Sequence, residues 1–338
     1  MTYFCGMRIF VFTILCVALL WSCKSESEEK CAYIPDTSSI QVDIGINQLQ
    51  DSVVAFSSKQ ELVDFFSRHT VMRDVFFNRP AYPNDSMFIN ELYNRFSNPY
   101  FDSLLLETKG VFGDLSSLRE ELNSAFKNFK YYYPEVELPK VETVITGLET
   151  DVFVSDTLVI IGLDYFLGNG AKYRPNMYDY ILRRYEKDFV VPSIMLLYGI
   201  DSRYNKTNLE DRTVLADMIS YGKTYYFTKQ MLPCVPDSIL IGYTREEIEG
   251  SRRNSDLIWK RLVEDEVFYA TSHLVKQKYI AERPKTLEVG EKCPGRIATW
   301  VGWEIVKKYA EASNESLPNV MANPDAKAIF NKSRYKPL

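Results

Sequence analysis

The sequence has 338 residues, 46% of them hydrophobic and including 23 Tyr and 20 Phe, which is enough for a full globular core in one large domain or two fused lobes. The net charge of −5 and the absence of a basic stripe argue against nucleic acid as a partner. Only two histidines are present, His69 and His273, and this scarcity restricts metal binding and general-base chemistry.

The N-terminus has the pattern of a bacterial lipoprotein signal. Residues 9–20 form an apolar run that follows Arg8 and is too short for an ordinary membrane-spanning helix. The next residues complete a Leu-Trp-Ser-Cys sequence ending at Cys23, which resembles a lipobox; a plain signal peptide or a short anchor is the alternative. We therefore expect residues 1–22 to be removed and Cys23 to carry acyl chains such as palmitate, which hold the protein on a membrane.

A polar segment separates this signal from the rest of the chain. Residues 23–40 are predicted to be the lipidated cysteine and a flexible tether, and residues 41–338 a single globular domain. The acidic cluster at the start of the tether resembles a surface-export signal of some bacterial lipoproteins, although a solvated linker explains it equally well. Three cysteines lie beyond position 23 and allow at most one disulfide, namely Cys31, Cys234 and Cys293.

Three helices are predicted before the middle of the chain. Residues 58–61 form a capping-box pattern, and the apolar residues after them fall on one helix face. His69, at the end of that helix, is expected to interact with the helix dipole rather than to bind a metal. The other two helices cover residues 87–96 and 115–130, where apolar residues recur every four positions.

The centre of the fold is predicted to be a short buried strand. Residues 158–164 are almost all apolar or Gly, start with β-branched residues and lead into a Gly-Asn-Gly turn signal after residue 167. Residues 141–148 are a second, shorter strand candidate, which would form a hairpin or an adjacent pair with the first. Because nearly everything else has helical periodicity, we predict an α+β fold, mostly helical with a small central sheet.

Helical patterns dominate the C-terminal half. Residues 177–185 and 191–197 are predicted to be helical, and a capping box at residues 207–210 is expected to open a helix that runs to Met231. Further helices follow a capping box at residues 244–247, an amphipathic run at 257–269 and the Cys-Pro-Gly sequence at 293–295. In the last of these helices, the small residues Ala298 and Gly302 would let another helix approach closely.

No catalytic, cofactor-binding or metal-binding motif is present. The helix ending at Met231 is expected to lie against the central strand, where zinc peptidases place two histidines and a glutamate, but it contains no histidine. Tyr221 and Lys223 are expected to fill the space that a metal and its water would need. We therefore predict no catalytic residue, no cofactor and no metal ligand.

An alternative hypothesis is a hydrolase with an unrecognised carboxylate site. Such a site would combine Asp164, at the end of the central strand, with Asp217 and Glu304 on helices. Turn capping and surface ion pairing are the ordinary structural roles of carboxylates in these positions.

One short motif recurs more often than composition predicts. Asp followed by Ser or Thr and an apolar residue occurs five times, whereas about one match is expected from average composition. The pattern resembles a bacterial O-glycosylation site. Thr157 adjoins the central strand and is expected to be too near it to be modified, so the candidate sites are Ser52, Ser86, Ser103 and Ser238.

Several segments together resemble the GldB gliding-motility lipoprotein family. They are the lipobox, the strand from residue 158, the Ile-Gly-Tyr-Thr sequence at residues 241–244, the run from Cys293 to Trp303, and the tail at residues 329–337. The resemblance covers nearly the whole chain and is most specific near the C-terminus. The family is itself similar in layout to predicted zinc peptidases, which implies a zincin-like, degenerate metalloprotease architecture.

The resemblance implies an envelope lipoprotein that works with the gliding and type IX secretion apparatus. Because the zinc-binding histidines are missing, it does not imply peptidase activity here, and only Cys23 corresponds to a functional position. The leading hypothesis is a non-catalytic component, lipid-anchored through Cys23 to a bacterial membrane, which we expect to be the outer membrane. Its expected partners are other envelope lipoproteins or secretion and gliding proteins.

The lipobox interpretation predicts the effect of Cys23→Ser. Without the thiol that receives the acyl chains, the protein should remain unprocessed or become soluble. Metabolic labelling with a palmitate analogue, followed by membrane fractionation, measures both effects, and Cys5→Ser serves as the control. A cleaved Cys23→Ser protein that still fractionates with membranes would contradict the interpretation.

Overall fold

The computed structural model describes residues 31–337, in which helices surround one four-stranded sheet. This confirms the predicted α+β class. The predicted signal, with Cys23 and the beginning of the tether, lies outside the described residues. Within residues 31–337, no helix is both long enough and apolar enough to cross a membrane.

The sheet has the strand order β1-β2-β4-β3. The two predicted strands are adjacent, as expected, but they run parallel, with Val141 opposite Val159, so the hairpin alternative was wrong. The antiparallel neighbour of β4 is β3, a strand that the sequence analysis missed together with β1. The strands are β1 (Ile46–Gln48), β2 (Lys140–Val144), β3 (Val152–Val154) and β4 (Leu158–Gly162).

The central strand β4 contributes to two different hydrophobic cores. Successive side chains of a strand point to opposite faces of the sheet. Val159 and Ile161 accordingly join the larger core, while Ile160 joins a smaller core formed mainly by residues 49–105. All three side chains are fully buried, which confirms the prediction of a strand covered on both faces.

Between residue 31 and β2 the structure has five α-helices. The predicted helices after residue 58, at 87–96 and at 115–130 are all present, and the side chain of Ser58 accepts a hydrogen bond from the Glu61 amide. Of the five, the sequence analysis missed two, a short one at Gln50–Val54 and one that begins at Pro99, directly after its N-cap Asn98. The helices are α1 (Gln50–Val54), α2 (Lys59–Arg68), α3 (Asp85–Phe96), α4 (Pro99–Phe112) and α5 (Ser116–Tyr132), with a π-helical turn at Met72–Phe76 and a 3-10 turn at Arg79–Ala81.

Ten helices follow the sheet. The capping box at Thr244 and Glu247 is formed as predicted. The helix expected at 177–185 is only one turn long, Asp179–Leu182. The helices are α6 (Asp179–Leu182), α7 (Val190–Ile200), α8 (Val214–Met231), α9 (Asp237–Ile241), α10 (Arg245–Arg253), α11 (Ser255–Glu264), α12 (His273–Tyr279), α13 (Ile297–Ser313), α14 (Leu317–Ala322) and α15 (Ala326–Ser333), and 3-10 turns occupy Leu163–Phe166 and Lys187–Phe189.

Two expectations about α8 were wrong. The helix begins at Val214 rather than near residue 208, because the hydroxyl of Thr213 accepts the Ala216 amide hydrogen bond at 3.2 Å. Asn208 instead stabilises a turn, in which its side chain accepts a hydrogen bond from the Glu210 amide. In addition, α8 packs mainly against α13 and α7 rather than against the central strand, and it is α7 that contacts β3.

The crossing of α8 and α13 depends on two glycines. A Cβ atom on Gly302 would overlap the backbone carbonyl of Met218, and one on Gly222 would overlap the carbonyl of Gly302. The two backbones are therefore in direct contact, as the small residues in the last long helix predicted. Trp300 and Trp303, which lie on either side of this crossing on α13, are among the largest fully buried side chains.

This crossing predicts a strong effect of Gly302→Ala. The added methyl group has no room, so the helices must separate, and the free energy of unfolding should fall by about 3 kcal/mol or more. Gly250→Ala on α10 is the matched control, since nothing lies within 4 Å of its new Cβ and Ala is the better helix former. Urea unfolding of both variants measures the difference, and equal midpoints would contradict the steric argument.

Candidate functional site

Two of the segments named above, residues 241–244 and the beginning of the run from Cys293 (residues 293–296), meet in space. Gly242 ends α9 in the left-handed conformation, with a φ of 73°, and turns the chain towards α10. The hydroxyl of Tyr243 donates a hydrogen bond to the carbonyl of Gly295 at 2.6 Å. Arg296 Nη2 donates in the reverse direction, to the carbonyl of Ile241 at 2.8 Å. The segments therefore form one unit at the start of α13.

Arg296 is the centre of this unit. Its Nη1 donates to the Tyr225 hydroxyl at 3.1 Å, its Nε lies 3.4 Å from a Glu282 carboxylate oxygen, and its guanidinium lies over the Tyr243 ring. Burial alone would lower the pKa of Arg296, but these two tyrosines and Glu282 outweigh it and raise the pKa. Arg296 is thus a charged group that holds α8, α9 and α13 together.

A second arginine, Arg184, lies beside the first. Its Nη2 donates to the other oxygen of Glu282 at 2.6 Å, so one carboxylate serves two guanidinium groups. The aliphatic part of Arg184 lies directly on Gly242, where a Cβ atom would overlap it. The buried Nε of Arg184 has no hydrogen-bond partner among the described residues.

An apolar groove adjoins both arginines. It has a volume of about 210 Å³ and lies between α7, α8 and the segment around α9. Its outer side chains are partly open to solvent, with exposed fractions of 42% for Leu197, 49% for Ile200 and 37% for Tyr221. Further lining is provided by Phe189, Pro192, Leu196, Ile239 and Tyr225. The arrangement combines an apolar surface with guanidinium groups at its edge, which is suited to binding an amphipathic group.

The three carboxylates of the hydrolase hypothesis have separate roles. Asp164 is fully buried and accepts hydrogen bonds from the amides of Thr146 and Leu148 at 2.9 and 2.7 Å, and its burial raises its pKa. It therefore caps the turn after β2. Asp217 pairs with Lys276 at 2.8 Å, and Glu304 pairs with Lys307 at 2.5 Å. The structure does not bring the three into one constellation around a shared partner.

Tyr221 and Lys223 point to different surroundings, contrary to the expectation that both would fill the space of a metal and its water. Tyr221 lines the groove, whereas Lys223 is buried and donates to the carbonyls of Lys206, Met321 and Asn323 at 2.5, 3.2 and 2.9 Å. Burial lowers the pKa of Lys223 to about 8. Lys223 therefore connects α8 with two chain segments. Within residues 31–337, no group of three or more His, Cys, Asp or Glu side chains is placed to hold a metal ion.

The two histidines lie apart from the groove. Nδ1 of His69 is 3.1 Å from a carboxylate oxygen of Glu142 on β2, and its ring stacks on Phe65. The backbone amide of His69 caps α2, so its helix-end position agrees with the prediction. His273 contacts Gln277 one turn along α12.

Cys31 and Cys234 are disulfide-bonded. Cys293 is a free thiol whose pKa burial raises to about 12. Cys293 is therefore a poor nucleophile.

The candidate glycosylation residues are all on helices. Ser52, Ser86 and Ser103 are exposed on α1, α3 and α4, and Ser238 is half-buried on α9. Thr157 is exposed in the turn between β3 and β4, so burial does not exclude it from modification as its closeness to the core strand suggested. The turn projects Thr157 beyond the end of the buried strand. The modification itself stays a prediction.

Sequence reasoning did not identify the arginines of the groove. Arg296 follows a Cys-Pro-Gly sequence that was noted as a helix start and as part of the family resemblance, with no role for the arginine, and Arg184 and Glu282 stand in no motif. The available signals were Gly242 and Gly295, since a Cβ on either would overlap Arg184 or the carbonyl of Arg283. Such clashes depend on residues distant in sequence.

Comparison with known proteins gives one family. Residues 30–337 match the family model described as gliding motility protein GldB. No curated protein and no solved structure matches the chain. The match extends over nearly the whole chain and includes both segments that build the site.

The two arginines should differ in their contribution to stability. Arg296→Met leaves the Ile241 carbonyl and the Tyr225 hydroxyl without their charged donor, so the free energy of unfolding should fall by about 3 kcal/mol. Arg184→Met removes a partly exposed ion pair and should cost no more than about 1 kcal/mol. Urea unfolding at neutral pH provides the measurement. Equal losses in the two variants would contradict the distinction between Arg296, whose hydrogen bonds stabilise the fold, and Arg184, whose ion pair is partly exposed.

Proposed function

The chain belongs to the gliding motility protein GldB family, and we propose that it acts as a lipid-anchored, non-catalytic binding component of the cell envelope. The observation that carries the binding role is the partly exposed apolar groove beside Arg184 and Arg296. It is built where residues 241–244 meet residues 293–296. An exposed apolar surface next to fixed charged groups is typical of recognition sites.

The arrangement of the acidic residues supports a non-catalytic role. Asp164 is held by backbone amides, and Asp217 and Glu304 are each paired with a lysine. A general acid or base has to reach a substrate proton from its position in the site. Each of these carboxylates is instead directed at a structural partner.

Membrane attachment through Cys23 completes the proposal. The lipobox would place acyl chains at the beginning of a short tether, so the described domain would work close to a membrane, which we propose to be the outer membrane. In this setting the partners are other envelope lipoproteins, or proteins of the gliding and type IX secretion machinery. The protein would connect such partners to the membrane rather than modify them.

A pull-down tests this function. The full-length protein, tagged after Leu338, should recover one or more specific envelope proteins from detergent-solubilised envelopes. The matched control is an unrelated lipoprotein with the same tag and similar abundance, and mass spectrometry compares the two sets. Recovery of the same proteins by both baits would count against a binding component.

A further inference from the structure

We propose that the groove beside Arg184 binds a peptide segment of a partner protein in which an apolar side chain stands next to a carboxylate. This inference rests on the proposed binding function and specifies the chemistry that the partner must present. It follows from the size of the groove, the exposure of its rim and the charge balance at its edge.

The apolar half of the site accepts part of a larger molecule. Its volume of about 210 Å³ is below the roughly 300–1,000 Å³ of pockets that enclose whole small ligands. Leu197 and Ile200 are three residues apart on α7 and therefore share one helix face, and Tyr221 faces them from α8. An apolar side chain entering the groove would cover these exposed surfaces while the rest of its chain continues outside.

At the charged edge of the groove, two guanidinium groups face one carboxylate, so one positive charge is not neutralised. Arg184 and Arg296 share the single carboxylate of Glu282, at 2.6 and 3.4 Å. Arg296 also has the Tyr225 hydroxyl and the Ile241 carbonyl as partners, whereas Arg184, whose side chain is 23% exposed, has Glu282 as its one hydrogen-bond and ion-pair partner among the described residues. A second carboxylate that contacts the exposed part of the Arg184 side chain would balance the charge, and the planar guanidinium is well suited to carboxylates.

The charge pattern favours a peptide over a membrane surface. Recognition of anionic lipid head groups uses clusters of about 4–8 Lys or Arg side chains. Here the two guanidinium groups and the Glu282 carboxylate together leave a net charge of +1 at the edge of the groove. One carboxylate of an Asp or Glu side chain, or of a chain terminus, matches that charge.

The test uses the full-length lipidated protein in nanodiscs of neutral lipid. A random heptapeptide phage library is selected against it, and enriched peptides are synthesised and measured by fluorescence anisotropy. We expect the peptides to carry Asp or Glu beside Leu, Ile, Met or Phe. Absence of enrichment, or enrichment of peptides without a carboxylate, would overturn the proposal.

Variants then locate the binding site. Arg184→Gln removes the available guanidinium, and Leu197→Glu places a negative charge at the rim, so each should weaken peptide binding by about tenfold or more. The matched controls are Arg253→Gln on α10 and Leu106→Glu on α4, both highly exposed and outside the groove, which should leave binding within about twofold. Equal affinity for Arg184→Gln and the wild type would overturn the assignment.

A change in the peptide tests the contact between its carboxylate and Arg184, and a change of lipid tests whether lipid occupies the groove. Replacing the peptide's carboxylate by its amide should weaken binding to the wild type but have little further effect in Arg184→Gln, since both changes remove one interaction. Loss of peptide binding when the nanodisc lipid is changed to phosphatidylglycerol would assign the groove to lipid and overturn the peptide proposal.

The envelope pull-down distinguishes failure of the groove assignment from failure of the proposed binding function. A specific partner that is retained by both Arg184→Gln and Leu197→Glu would contradict the groove assignment while leaving the binding function intact. Recovery of no specific partner by the wild type would contradict the binding function itself.

Discussion

Where α8 and α13 cross, Gly222 and Gly302 bring two helix backbones into direct contact, and the geometry of the C-terminal half depends on this contact. One turn beyond Gly222, Tyr225 reaches Arg296 at the start of α13. On another side of α8, Gly199 allows α7 to lie against Thr224 in the same manner. Because α7 and α8 form the walls of the groove, its width is set by backbone packing rather than by adjustable side chains.

The two arginines at the groove differ: the contacts of Arg296 within the protein are fixed, whereas the guanidinium of Arg184 is available to a further partner. Arg296 is committed to α8 and α9 through its hydrogen bonds, so its charge stabilises the fold at the same time as it contributes to the site. Arg184 rests on Gly242, and only one carboxylate oxygen occupies its polar end. The same carboxylate, that of Glu282, serves both groups, and this sharing links the internal packing of the protein to the electrostatics of its surface.

Local chemistry explains which parts of the fold the sequence could predict. Capping patterns and fourfold apolar spacing located α2, α3 and α10, since their determinants lie within one or two turns. Two residues with suitable side chains, Thr207 and Thr213, were candidates to cap α8. The second is the cap, and tertiary contacts support that start, since the amides of Val214 and Leu215 donate to the carbonyls of Ala270 and Phe268. The short strands β1 and β3 carry too few residues to display a period, and they exist because β2 and β4 offer them pairing edges.

The site was less predictable than the fold for a related reason. Arg184, Glu282 and Arg296 are distant in sequence, and no spacing rule connects them. The segments around Gly242 and Gly295 could be quoted as similar to a family, but their physical role appears only where the missing Cβ atoms leave room for an arginine and for a backbone carbonyl. Membership of the GldB family therefore pointed to the right segments without revealing their chemistry.

The position of β1 has a consequence for the order of folding. Ile46 pairs in parallel with Val141, and all of α1 to α5 lie between them in the chain. A chain that is synthesised from its N-terminus exposes β1 long before its partner strand has emerged. Closing so long a loop is entropically costly and slow compared with forming local helices. The edge of β1 thus remains unpaired until β2 arrives, and over this interval its free backbone groups are open to pairing with other chains.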